Sequence, residues 1–112
     1  MKPPIIADDH GDISVFNTVE DAEREIEPDD VRAGTYTLYD SEGRLLETGL
    51  RQPTALWRRL LFPAEQTVIR EAEREHTHRE QLHEALADFL ARVGLDERWI
   101  SKASLEELIV KA

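Results

Sequence analysis

The stretch that most restricts the possible folds is Thr35–Leu50, TYTLYDSEGRLLETGL. Thr35–Tyr39 is rich in β-branched and aromatic residues, and Leu45–Thr48 can form the returning strand. Asp40-Ser41-Glu42-Gly43 between them has the chemistry of a type I turn closed by a glycine bulge. Asp40 can accept bonds from its own backbone, and Gly43 can adopt a left-handed conformation without steric cost. A lone two-stranded hairpin is marginal in water, so other parts of the chain must cover it.

With 112 residues the chain suits one domain, and 40% hydrophobic with 34% charged residues suits a globular protein with a well-solvated surface. The absence of cysteine excludes disulfides and thiolate metal sites. The apolar residues Ile5-Ile6-Ala7 fall short of a signal-peptide core, and no run reaches membrane-spanning length. The expectation is a cytoplasmic protein without a membrane partner. Net charge is −10, and residues 1–50 carry thirteen acidic against four basic groups, so −9 of it lies in the first half. Such a field opposes nucleic-acid binding, which depends on Lys and Arg neutralising phosphate. It favours encounter with a basic protein.

Asp12–Phe16 reads as the first strand. Asn17 or Thr18 then caps a helix running to Glu27, with Glu20 or Asp21 completing a capping box. Val19, Ala22 and Ile26 form its apolar stripe, and Pro28 disfavours helical geometry at Glu27. Glu25 and Glu27 fall in the last turn, where the helix dipole disfavours carboxylates, and Asp29 and Asp30 extend the negative end into a turn. Acids placed against local stability mark a candidate functional surface.

Residues 51–76 are less defined: Ala55–Phe62 fits a short amphipathic helix and fits a strand. Thr67–Ala72 reads as a strand. Glu73–Gln81 has no apolar member, which opposes one continuous helix from Pro63. A capping box at Thr77 and Glu80 opens a helix with Leu82, Ala85, Leu86, Phe89, Leu90 and Val93 on its apolar face, stopped by Gly94. Trp99 and Ile100 lie in a short helix, and Ser104 with Glu107 caps the last one.

Asp8-Asp9-His10-Gly11-Asp12 gathers oxygen and nitrogen donors, but matches neither an EF-hand nor a zinc-binding helix. It reads as a solvated turn before the first strand. His76, His78 and His83 lack the i, i+4 spacing of a helical metal pair. No nucleophile elbow or phosphate-cradling glycine loop occurs. The expectation is a non-enzyme with no metal and no cofactor. A metal-dependent hydrolase using Asp8, His10 and Asp12 is a third reading, and a self-associating scaffold, homodimeric if so, is the second. Tyr36 and Tyr39 point to opposite sheet faces, one toward the core and one toward solvent.

Residues 15–46, VFNTVEDAEREIEPDDVRAGTYTLYDSEGRLL, carry a resemblance. They resemble a group of small, largely uncharacterised bacterial proteins that share a strand–helix–EPxDV–hairpin core ending in YDxEGRLL. The resemblance implies a small cytoplasmic protein, and some members are regarded as immunity-type partners of toxins. The combined expectation is a single α+β domain over residues 1–112, with a small antiparallel sheet built on the hairpin and covered by an N-terminal helix and C-terminal helices. Its expected function is an acidic protein-binding module, an immunity protein that blocks a basic toxin. The expected contacts are Glu20, Glu23, Glu25, Glu27, Asp29, Asp30 and Tyr39.

Overall fold

A computed structural model describes residues 1–52, 55–56, 60 and 65–112. The alternatives for Ala55–Phe62 fall largely outside the described residues. The strands are β1 (Ile5–Asp9), β2 (Asp12–Phe16), β3 (Thr37–Tyr39), β4 (Leu45–Arg51) and β5 (Gln66–Glu71). They form one antiparallel sheet in the order β2-β1-β3-β4-β5. Helices α1 (Val19–Glu25) and α2 (Pro28–Ala33) cover one face; α3 (Arg79–Arg92), α4 (Glu97–Lys102) and α5 (Leu105–Lys111) cover the other. The fold is α+β, as expected. Among the described residues no helix is long and apolar enough to cross a membrane.

Alternation along β1 divides two apolar clusters. Ile5 and Ala7 join Ala22, Ile26, Leu38, Leu46 and Ile69 on the α1–α2 side. Ile6 joins Tyr39, Leu82, Leu86, Leu90 and Leu108 on the α3–α5 side. This corrects the assignment of the first strand to Asp12–Phe16: β1 precedes it and lies inside the sheet. Ile5-Ile6-Ala7 is apolar without a break because both its faces are covered. The Asp8–Asp12 stretch is accordingly the β1–β2 hairpin, turning at His10 (φ 51°) and Gly11 (φ 98°).

The region after Ile26 is also corrected. Pro28 ends α1 but begins α2, where its fixed φ and missing N–H suit the first helical position. Gly34, at φ 64°, closes that helix. Asp29 and Asp30 therefore lie in a first turn, where the dipole favours them, and Glu27 is the N-cap of α2. Glu25 alone keeps the unfavourable place, at the end of α1. Thr18 and Ser104 cap as expected, each accepting a backbone N–H through its hydroxyl. The box at Thr77 and Glu80 does not form: His78 is the N-cap of α3, and the Thr77 hydroxyl donates to Glu73. Val93 is exposed rather than part of the apolar face.

The β3–β4 turn ties the layers together. Gly43 N–H donates to the Asp40 carbonyl at 3.2 Å, and Gly43 has φ 85°. The Asp40 side chain is fully buried and accepts four hydrogen bonds. Its Oδ1 takes the N–H groups of Glu42 and Arg44, both at 3.0 Å. Its Oδ2 takes Lys2 N–H at 3.1 Å and Arg44 Nη1 at 2.6 Å. Burial alone would raise its pKa, but these backbone donors and the Arg44 charge hold it below the ordinary carboxylate value. Beside it, Glu73 accepts from the Thr77 hydroxyl and from Leu45 N–H, at 2.9 Å for the latter, and faces His78 Nδ1 at 2.9 Å. The hydroxyl first, then the N–H and His78, outweigh burial and lower its pKa from 4.5 to about 2.

Two expectations follow. A side chain at Gly43 would need a positive φ, and its Cβ would run into the Arg79 backbone. Gly43→Val should therefore cost about 2–4 kcal/mol in urea unfolding, whereas Ser41→Ala should change stability by less than about 0.5 kcal/mol. A wild-type midpoint for Gly43→Val would contradict the turn geometry. The second concerns acid. Folded-state pKa values below the unfolded ones mean that Asp40 and Glu73 stabilise the fold fully above about pH 4.5, and that this is lost as pH falls toward about 2. Urea midpoints measured across that window should fall, and Glu73→Gln should make the fall shallower.

Candidate docking surface

The expected contact residues divide by position. Glu20 is exposed in the first turn of α1 and Glu25 is exposed at its end. Glu27 is exposed at the α2 N-cap, Asp29 is exposed, and Asp30 is half-buried. Glu23 is turned inward: its Oε2 accepts the N–H of Ile69 at 2.8 Å. Tyr39 does not belong to this surface. It is 1% exposed within the α3–α5 cluster, and its hydroxyl accepts from Gln81 Nε2 at 2.7 Å. Alternation along the hairpin separates the two tyrosines but does not say that α3 covers one of them.

The tyrosine on the acidic side is Tyr36, half-buried against the α1–α2 cluster. It stands one step beyond the Thr37–Asp8 pair, level with Asp9, and Asp9 is paired with Asp12. Cross-strand partners share a face, so Asp12, Asp9 and Tyr36 form a row over three strand positions on the α1–α2 side. Glu27 and Asp30 approach the same ring from α2. The Tyr36 pKa is raised above its ordinary value, first by burial and then by the charges of Asp30, Asp9, Asp12 and Glu27. The sequence reading omitted Asp9, Asp12 and Tyr36 from the site because the row exists only once β1 is recognised as a strand. The sequence carried no alternating signal there, because Ile5-Ile6-Ala7 is apolar without a break and Asp8-Asp9 is acidic without one.

Local arginines are already engaged with local acids. Arg24 Nη2 lies 3.3 Å from Asp21, and Arg32 pairs with Asp29 at 3.0 Å and also with Glu65. Among the described residues, Asp12, Glu20, Glu25, Glu27 and Asp30 have no Lys or Arg at salt-bridge distance. Among the described residues, the surface therefore combines carboxylates without a basic side chain at salt-bridge distance with one partly accessible aromatic ring.

The combination Asp8, His10 and Asp12 does not converge. Asp8 follows Ile6 toward the α3 side, whereas Asp12 shares the Asp9 and Tyr36 side. Asp8 Oδ1 accepts Gly11 N–H at 2.7 Å, and His10 Nδ1 lies 2.9 Å from Asp9. Among the described residues, no three His, Cys, Asp or Glu side chains gather as a metal ion would require. On the α3 side, Asp8, Gln81, Glu84, Asp88 and Arg92 line a shallow cleft of about 420 Å³. No protein-family model, curated protein or solved structure matches the chain.

The Tyr36 environment can be measured. In a Tyr39→Phe background, ultraviolet titration should place Tyr36 above the ordinary tyrosine value of 10.0. Asp30→Asn should bring it down, and Asp9→Asn should do so to a smaller degree, following the order of the two charges. No response to either change would mean that these carboxylates do not share a field with the ring.

Proposed function

We propose that the chain is a non-enzymatic protein-binding module whose acidic face receives a basic protein, as an immunity protein receives a basic toxin. The carrying observation is the half-buried Tyr36 ring in the combined field of Asp9, Asp12, Glu27 and Asp30. An aromatic ring contributes contact area at low conformational cost, and its face attracts cations. Carboxylates around it steer a basic surface to the same place and speed encounter. The same field opposes phosphate, which makes nucleic acid a poor partner.

Neutralising the patch separates this proposal from a merely solubilising surface. Asp9→Asn, Asp12→Asn, Glu27→Gln and Asp30→Asn combined should leave the fold intact, because each of these side chains reaches solvent. Wild type and the quadruple variant serve as baits in extracts of the native host, and kinetics follow on any basic protein retained. Association with wild type should fall steeply with salt. The variant should associate about ten-fold or more slowly at low salt, with a flatter salt response. Equal kinetics for both baits would remove the acidic face from the interaction.

A further inference from the structure

We propose that the β2 edge of the sheet accepts an antiparallel strand from the basic partner, with a lysine or arginine opposite Asp12 and aliphatic residues opposite Ile13 and Val15. This rests on the reading of the partner as basic and adds how its chain is held.

The two edges of the sheet differ. The Asp9–Asp12 pair closes a two-residue turn, so hydrogen bonding to β1 recurs at Ser14 and Phe16. The N–H and C=O groups of Ile13 and Val15 then point away from the sheet, and among the described residues they have no strand beside them. At the far edge, Ala72 N–H donates to Leu45 C=O at 3.0 Å, so the same parity turns Thr67 and Ile69 outward on β5. There Ile69 N–H is taken by Glu23, and the Thr67 hydroxyl donates to the Ile26 carbonyl at 2.7 Å. Helix α1 thus occupies the β5 edge. Strand β2, DISVF, has no lysine, proline or bulge to block pairing, and its one charge is Asp12.

Charge selects the occupant. Asp12 ends the row that runs through Asp9 to Tyr36, at the open edge of the sheet. In an added antiparallel strand, the residue opposite Asp12 lies on that acidic face, with its Cβ about 4.5–5.5 Å away. A cation there extends the row with the opposite sign, while a carboxylate there is repelled. The next residues on this face meet Ser14 and Phe16. The alternate residues meet Ile13 and Val15, which pack on the α3–α5 side and suit aliphatic partners. Backbone bonds supply affinity and the alternating side chains supply selectivity, as in strand-addition complexes generally. A second copy of this chain would bring another net charge of −10 to the same edge, which favours a basic strand over self-pairing.

The probe is a synthetic peptide alternating lysine or threonine with valine, used at millimolar concentration with full-length protein. Two control peptides carry glutamate for lysine, or N-methyl groups on the amides that would face β2. Amide exchange is read residue by residue. The lysine peptide should slow exchange at Ile13 and Val15 by about ten-fold, and the N-methyl peptide should not. Asp12→Lys should exchange the preference, so that the glutamate peptide now protects these amides better than the lysine peptide.

Unchanged exchange at Ile13 and Val15, with signals of Tyr36, Glu27 and Asp30 still shifting, would overturn the strand addition and leave the acidic-face reading standing. Equal protection by lysine and glutamate peptides would overturn the basic occupant. Protection that rises with protein concentration and needs no peptide would assign the edge to a second copy, and would overturn the proposal as well.

Discussion

A buried carboxylate beside a guanidinium sets the geometry of the chain. Asp40 is fully excluded from solvent and carries four hydrogen bonds, so its charge is supported from the turn, from the N-terminal segment and from Arg44. An ionised group in such a place is tolerable only when its oxygens are all satisfied. Satisfying them fixes the turn, because Glu42 and Arg44 must present their N–H groups to one oxygen. It also fixes Lys2, whose backbone groups bond both the Asp40 side chain and Ser41 N–H. Arg44 continues outward to the Arg74 carbonyl at 2.9 Å and to Glu71 at 3.3 Å. The C-terminal end of β5 and the loop toward α3 are thereby referred to the same turn. His78 N–H completes this arrangement by donating to the Gly43 carbonyl at 3.1 Å.

Fixing the turn also decides which faces are available. Once β3 and β4 are set, both sides of the sheet are committed, and the apolar residues of β1 divide between two clusters rather than one. A five-stranded sheet covered on both faces presents new surface chiefly along its edges and at its strand ends. Helix α1 crosses to β5 and occupies that edge through Glu23. Among the described residues, β2 and the strand ends where Asp9, Asp12 and Tyr36 meet are left open. The proposed docking surface therefore joins these strand ends to the start of α2.

Local chemistry was legible in the sequence where neighbours in the chain decide the outcome. The Asp40–Gly43 turn and the caps at Thr18 and Ser104 each depend on residues within four positions of one another. The α+β class followed from the strand and helix periodicities together. What escaped depends on distant partners. Ile5-Ile6-Ala7 is too short and too uniformly apolar to show a period, and only its burial on both faces makes it an inner strand. Pro28 was legible as an end and not as a beginning, since the same ring both stops one helix and suits the start of the next. Thr77 can cap α3 by spacing alone, but Glu73 takes its hydroxyl. The choice between Tyr36 and Tyr39 required knowing that α3 lies over one side, and the two differ by only three positions in the chain.

Formal charge also needed the fold before it could be assigned a role. Among the four basic groups of residues 1–50, Arg24, Arg32 and Arg44 each hold an acid of that same half: Asp21, Asp29 and Asp40. Glu47 reaches Arg70 across the β4–β5 pair at 3.6 Å. Glu23 is occupied by a backbone N–H. These acids shape the molecule, and among those that remain Asp9, Asp12, Glu27 and Asp30 lie together near the hairpin end and α2. Strand β3 makes the contrast compact. At its end stands Asp40, whose charge is met entirely from within the chain; before its start stands Tyr36, amid carboxylates that face outward. Mutual repulsion among those outward carboxylates opposes folding slightly, whereas a cation brought to them relieves it. The same electrostatic term that makes this end of the sheet less stable alone therefore makes it more favourable when a basic surface is bound.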